Sequence, residues 1–505
     1  MHIKLLDTTL RDGEQTSGVS YPEEEKLSMA KILLTELKVD RLEVASAKVS
    51  EGEFNAVKMI CDWAKAHDQI EKIEVLGFVD GMKSINWLKD AGCRVLNLLT
   101  KGSINHCKHQ LRKTPEEHFS DIKKVVELAT ENGIRVNIYL EDWSSGMRNS
   151  PDYVWQMLEE LKDSAIDRYM LPDTLGIMNP DEAYTHIKET IDRYPNLKFD
   201  FHAHNDYDLA TANVFAALKA GIDCVHGTIN GLGERAGNAP LSSIIAILND
   251  HFDHTISVDE NRLNFISRMV ETYSGIRIPS NKPLIGKNVF TQTAGIHADG
   301  DNKKNLYYND LLPERFGRVR EYALGKTSGK ANIKKNLEEM GIELDDASMK
   351  KLTEHIIELG DKKEQVTRED LPYIIADVIR SKAIQEKIQV INYNFTAGMG
   401  LKSVASVKIK INGDKVYQEH SAGDGQYDAF MHAIKKIYKK LKKELPKLVD
   451  YSVTIPPGGK ADALCNCVIT WNLGKEFRTR GLDSDQTMAA IKATIKMLNI
   501  IEDFK

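Results

Sequence analysis

The chain has 505 residues, 42% hydrophobic and 28% charged, enough to bury a substantial core and stay soluble. Its 68 Lys and Arg against 74 Asp and Glu leave a net charge of −6, which argues against a protein that coats nucleic acid. No run approaches the ~18 consecutive apolar residues of a membrane span, and six cysteines in so long a chain make no disulfide scaffold, so a reducing cytoplasm is the expected setting.

The N-terminal MHIKLLDTTLRDGEQ reads as a strand and its loop rather than a signal peptide. Short β-rich runs then recur: IKLLDTTL from Ile3, VDRLEVAS from Val39, KIEVLGFV from Lys72 and RVLNLLT from Arg94. RVNIYLED from Arg135, RYMLPDT from Arg168, KFDFHAHN from Lys198 and CVHGTIN from Cys224 complete a set of eight. Helical segments separate them, among them EEEKLSMAKILLTELK, DYVWQMLEELK and DLATANVFAALKAG, whose apolar residues recur at spacings of three and four. Alternating strands and helices imply parallel pairing with right-handed crossovers. Eight such units predict a (β/α)8 TIM barrel over residues 1–286. An open doubly wound sheet is the competing architecture, but the chain lacks a dinucleotide fingerprint.

From Lys287 to about residue 387 the alternation stops and helical patterns dominate, as in DDASMKKLTEHIIELGDKK and REDLPYIIADVIRS. These predict helical linker subdomains. From Ile388 the chain turns strand-rich again. SVKIKI alternates clearly, and Asn412-Gly413-Asp414 predicts a hairpin turn before KVYQEH. GDGQYDAFMHAIKKI from Gly423 is echoed by GLDSDQTMAAIKATIKML from Gly481. Residues 388–505 therefore read as an α+β domain of two similar strand-strand-strand-helix units, suited to ligand sensing or assembly.

Polar residues crowd the C-terminal ends of nearly all these runs, as at Arg11-Asp12, Glu43, Glu141-Asp142, Asp173-Thr174 and His202-His204. In a barrel those ends open on one face, where active sites are built. His202 and His204, two apart on a strand, point the same way and can reach one metal ion. The plainer reading makes one a ligand and the other packing. Asp12 offers an anionic oxygen and Asn238, in NGLGERAGN, a neutral one. Such a set suits Zn, Mn, Co or Mg. Arg11 suits a carboxylate or a polarised carbonyl, and Glu43 can hold it, as a plain buried ion pair also would. Glu141 follows Tyr139-Leu140, apolar-aromatic surroundings that suit an acid or base. Thr174 offers a hydroxyl, or a helix N-cap.

GKTSGKAN from Gly325 is no P-loop, because the first glycine of that motif is replaced by Arg320. Cys465-Asn466-Cys467 reads as strand rather than metal site, GGK at 458–460 as a turn, and KKIYKKLKKELPK as a helix with Ile437, Tyr438 and Leu441 inward.

LDTTLRDGEQTSG, FHAHNDYDLA and NGLGERAGN, in this order, resemble the acyl-CoA-condensing metal enzymes on a (β/α)8 barrel. That family includes 2-isopropylmalate, citramalate and homocitrate synthases, with hydroxymethylglutaryl-CoA lyase and biotin-enzyme carboxyltransferase domains further off. The resemblance covers the whole chain, the tail being similar to the leucine- or isoleucine-binding regulatory domain of the synthases. It implies a divalent-metal site at Asp12, His202, His204 and Asn238. It implies acetyl-CoA as co-substrate, Arg11 on the alkoxide of a 2-oxoacid, Thr174 on its carboxylate and Glu141 as the base. It also implies His297 and Tyr307 reaching the site from the linker region, usually of the partner subunit, hence a homodimer. Leu76, Leu99 and Tyr139 correspond to the 2-oxoacid pocket wall. Their bulk implies pyruvate, giving citramalate, with 2-oxoisovalerate as the alternative substrate. A branched-chain amino acid, isoleucine or leucine respectively, is the implied inhibitor. A lyase running the reverse cleavage and a non-catalytic amino-acid sensor are the competing functions. Neither a nucleic acid nor a membrane is expected as partner.

Overall fold

The computed structural model describes residues 2–253, 256–361, 366, 371, 374–375, 387–398, 400–411, 413, 415–454, 465–474 and 476–503. The chain divides into two compact units, Met1–Phe290 with Tyr308–Arg320, and Thr291–Tyr307 with Glu321–Lys505.

The first unit is a closed barrel of eight parallel strands in sequence order. They are β1 (Lys4–Asp7), β2 (Arg41–Ser46), β3 (Ile73–Phe78), β4 (Val95–Lys101), β5 (Arg135–Glu141), β6 (Arg168–Asp173), β7 (Phe199–Ala203) and β8 (Cys224–Gly227). Closure is made by β8 on β1, from Lys4 against Cys224 to Asp7 against Gly227. This is the expected barrel, and it leaves no open sheet edge.

Helices follow the strands and bury one face each on the outside of the barrel. Pro115–Glu131 turns in His118, Phe119, Ile122, Val125, Val126 and Ala129. Its start is fixed by a capping box between Thr114 and Glu117. Pro180–Arg193 starts the same way, on Asn179 and Glu182. Thr174 is therefore not the cap of that helix.

Alternate strand residues meet inside the barrel, and several are charged. Arg41 is hydrogen bonded to Glu74 and Asp200, and Arg168 also reaches Asp200. Asn137 Nδ2 donates to Asn97 Oδ1 at 2.8 Å. Leu6, Leu76, Tyr139, Met170 and Cys224 form an apolar cluster inside the barrel, with Leu99 against it. Buried charge in this quantity is tolerable only because each group has partners of opposite sign.

In the second unit a two-stranded parallel sheet, β9 (Thr291–Gln292) and β10 (Glu321–Tyr322), interrupts what the sequence presented as helical. Helices Lys330–Glu339 and Asp346–Asp361 pack through Ile333, Leu337, Met349, Leu352 and Ile356. Most of REDLPYIIADVIRS lies outside the described residues.

The tail has the expected two units. The strands β11 (Ile388–Thr396), β12 (Ser403–Ile411) and β13 (Lys415–Gly423) precede helix Gln426–Lys440. The strands β14 (Lys447–Thr454), β15 (Cys465–Asn472) and β16 (Glu476–Asp483) precede helix Gln486–Asp503. Both sheets are antiparallel, and Val407, Ile409, Ile469, Trp471, Phe430 and Met497 belong to one core. Asn412 and Asp414 of the hairpin turn, and the GGK stretch, lie outside the described residues. Cys465 and Cys467 are buried on β15, as a strand reading requires. Ile437 and Tyr438 are buried and Leu441 packs against them.

Candidate active site

The strand ends bring Asp12, His202 and His204 together at the barrel mouth. His202 Nε2 lies 3.0 Å and His204 Nε2 3.8 Å from Asp12 Oδ2. Asn238 joins them because its loop runs back along β7. His204 and Asn238 form a backbone bridge, and the Asn238 amide donates to the Leu232 carbonyl at 3.1 Å. The loop takes this path through Gly237, at φ +85°, where any Cβ would run into the Gly231 carbonyl.

Four buried atoms here have no hydrogen-bond partner: Asp12 Oδ1, His202 Nδ1, His204 Nδ1 and Asn238 Oδ1. Orphaned buried polar atoms are costly in a folded protein, and four in one place fit a divalent cation. Burial alone would raise the Asp12 carboxyl, but Arg11 and the two imidazoles outweigh it and hold it far below the usual carboxylate range. Burial pushes the His204 imidazole down to about 4. An anionic carboxylate and a neutral imidazole are the forms that bind metal.

A second cluster of similar composition, Asp200, Cys224 and His226, lies in the barrel interior. Arg41 and Arg168 already contact its carboxylate, so its countercharge is supplied by protein.

Arg11 is fixed on several sides. Its Nε donates to Glu43 Oε2 at 2.6 Å, one terminal nitrogen lies 3.3 Å from Asp12 Oδ2, and the other donates to the Tyr139 hydroxyl at 3.3 Å. Glu43 is held in turn by Asn97 at 2.8 Å. Leu76, Leu99 and Tyr139 belong to one layer, but Tyr139 is not simply apolar, since its hydroxyl faces Arg11 and His226.

Thr174 Oγ1 accepts the Asp142 N–H at 2.9 Å, which leaves its hydroxyl hydrogen free to donate. Asp173 is a loop brace, accepting from the Ile177 and Met178 N–H groups. Glu141 sits on the barrel rim with Lys101 hydrogen bonded to its Oε2. The apolar surroundings expected of Glu141 thus include an ammonium group that the strand pattern did not single out. His297 and Tyr307 are in the second unit. Their rings lie 4.2 Å apart, and His297 Nδ1 contacts Gln292 Oε1.

Lys101, Asn97, His226 and the Arg41–Asp200–Arg168 group escaped the sequence reading. The signal was present in the alternation: Arg41/Glu43, Asn97/Leu99 and Asp200/His202 are each two apart on a strand and so share a face. Ser103, His106 and Asp142 also meet beside Glu141. Both Ser103 Oγ and Asp142 Oδ2 contact the same nitrogen, His106 Nδ1, so the group is no nucleophile relay.

Strand ends that converge on one buried donor set give this (β/α)8 barrel a candidate divalent-metal site at its mouth. The HMGL-like family model matches residues 2–270, a homocitrate synthase post-HMGL domain-like model 284–364, and the LeuA allosteric (dimerisation) domain model 365–502. The chain is 33% identical to the (R)-citramalate synthase CimA of Methanocaldococcus jannaschii, over 99% of this chain and 100% of that one. It is 34% identical to a probable 2-isopropylmalate synthase of Methanopyrus kandleri, over 98% of each. It is 33% identical to the putative (R)-citramalate synthase CimA of the same organism, over 90% and 88%. The chain belongs to the HMGL-like family, within its acyl-CoA-condensing synthases.

Among the described residues no helix is long and apolar enough to cross a membrane. All six cysteines are buried and none is in a disulfide.

Proposed function

We propose that this protein joins the methyl carbon of acetyl-CoA to the keto carbon of pyruvate and releases CoA, forming citramalate. The observation that carries the reading is the bulk of Leu76, Leu99 and Tyr139 in one layer next to Arg11. On this reading that bulk would leave room for a methyl group and fill the space an isopropyl group needs. The names of the relatives support both this substrate and 2-oxoisovalerate, and the lining favours pyruvate.

Asp12, His202, His204 and Asn238 would hold the divalent ion, which when bound supplies a Lewis acid for the 2-oxoacid oxygens. Thr174 donates its free hydroxyl hydrogen to the substrate carboxylate. Glu141 takes a proton from the acetyl methyl group, and Lys101 keeps that carboxylate in place. Arg11, oriented by Glu43, donates to the oxygen that gains charge as the C–C bond forms. Water then cleaves the thioester C–S bond, which gives the new carboxylate and the CoA thiol.

On this reading residues 1–286 are the catalytic barrel, 287–387 the linker and 388–505 the regulatory and dimerisation domain. Isoleucine is the expected inhibitor there, and the reducing cytoplasm the expected setting. His297 and Tyr307 are assigned to the same reaction.

The test is thiol release from acetyl-CoA with added Mn²⁺ or Zn²⁺, comparing pyruvate, 2-oxobutyrate, 2-oxoisovalerate and 2-oxoglutarate. Pyruvate should give the highest kcat/KM. Preference for 2-oxoisovalerate would assign the protein to isopropylmalate synthesis instead.

A further inference from the structure

Three possible hydrogen-bond partners surround one phenol. The Tyr139 hydroxyl is 3.3 Å from an Arg11 terminal nitrogen, 3.4 Å from Glu43 Oε2 and 3.3 Å from His226 Nδ1. Arg11 can only donate, so the phenol oxygen accepts from it. The single phenol hydrogen must then choose between Glu43 and His226.

The rest of the network decides the choice. Glu43 is satisfied without the phenol, because Arg11 Nε donates to Oε2 and Asn97 to Oε1. His226 Nε2 lies 3.1 Å from Asp200 Oδ2. Asp200 receives Arg41 on one oxygen and Arg168 on the other, both obligate donors, so it is an acceptor throughout. The hydrogen between His226 and Asp200 therefore belongs to His226 Nε2. Nδ1 is left bare, and the phenol is the donor aimed at it.

We infer that His226, its tautomer fixed by Asp200, is a positioning residue that holds the Tyr139 hydroxyl away from Glu43 and so keeps the 2-oxoacid pocket wall in register. The inference rests on the reading of Tyr139 as pocket wall. Without the Nδ1 acceptor, the phenol turns to Glu43 Oε2 and competes there with Arg11 Nε. The wall loosens, while Arg11 keeps Glu43 and Asp12 as partners, so substrate binding suffers before turnover does.

A double-mutant cycle tests this on the full-length, metal-supplied enzyme, using whichever 2-oxoacid the unmodified protein turns over best. Failure of the pyruvate assignment thus shows in the unmodified enzyme, and failure of the His226 assignment shows in the cycle. His226→Leu should raise KM for the 2-oxoacid about five- to tenfold with kcat within about twofold, and Tyr139→Phe should reduce that rise to less than about twofold. His226→Gln, which keeps an amide donor and acceptor, should restore part of the loss. If His226→Leu does not fold, His226→Asn carries the same cycle with an amide retained beside Asp200. An equal KM rise with and without the Tyr139 hydroxyl would overturn the inference and reduce His226 to part of the buried charge network.

Discussion

Arg11 Nε donates to Glu43 Oε2 at 2.6 Å at the barrel mouth, where Glu43 is fully buried and Arg11 nearly so. The pair fixes the guanidinium in one plane, with a terminal nitrogen committed to the Tyr139 hydroxyl. An arginine free to rotate would stabilise charge in the ground state and the transition state alike, which does not speed the chemistry. Glu43→Gln should therefore lower kcat/KM by about 10- to 100-fold, and Arg11→Lys should not restore a functional site, since a lysine has no planar fork. Steady-state kinetics check this, and a Glu43→Gln enzyme of unchanged kcat/KM would contradict it.

The four orphaned donor atoms predict a single strong metal site. Asp12→Asn and His204→Ala should each weaken Mn²⁺ or Zn²⁺ binding by at least about tenfold in calorimetric titration. Added metal should raise the thermal midpoint of the unmodified protein, because a ligand that binds only the folded state stabilises it. The same addition should leave Asp12→Asn nearly unmoved. Equal affinities in all three proteins would place the metal elsewhere.

Lys101 against Glu141 predicts an effect on turnover more than on binding. Lys101→Met should lower kcat by about tenfold with KM for the 2-oxoacid changed less than about threefold, and Glu141→Gln should lower kcat by about 100-fold or more. A Glu141→Gln enzyme as fast as the unmodified one would remove Glu141 from the base role.

Asp7 gives a pH signature in stability. Burial raises its carboxyl from 3.8 to about 7, despite hydrogen bonds from Thr9. A folded-state value above the unfolded one favours the protonated fold. The stabilisation is complete below about pH 4 and lost as pH rises to about 7, at a slope of roughly 1.4 kcal/mol per pH unit for one proton. Asp7→Asn should abolish that slope. The gap between the two proteins in thermal or urea unfolding should widen from pH 4 to 7 and stay constant above it. A constant gap across the whole range would mean that the Asp7 carboxyl titrates alike in the folded and unfolded chain.

The sequence exposed some layers of this protein and hid others for physical reasons. Eight runs at regular spacing announced the barrel, because strands buried on both faces must be apolar and β-rich. HxH on one strand announced paired imidazoles, because side chains two apart share a face. The charged interior was harder to see. Arg41, Glu74, Arg168 and Asp200 each look like an ordinary solvated charge, and only closure of the barrel brings Arg41 on β2 to Asp200 on β7. Asn238 was placed by its motif, whereas its approach to His204 depends on the backbone turning at Gly237. Of the two readings of Thr174, cap and substrate donor, the cap falls because Asn179 starts that helix. The short β9–β10 sheet left no trace, since two residues per strand carry no periodicity.

The most direct test of the central claim follows the carbon itself. Acetyl-CoA labelled with ¹³C in the methyl group, pyruvate and a divalent metal are incubated with the enzyme, and the products are read by ¹³C NMR. The label should appear in the methylene carbon of citramalate, with one CoA released per labelled product and no product from Asp12→Asn. Labelled acetate alone, or recovery of unchanged acetyl-CoA, would contradict it.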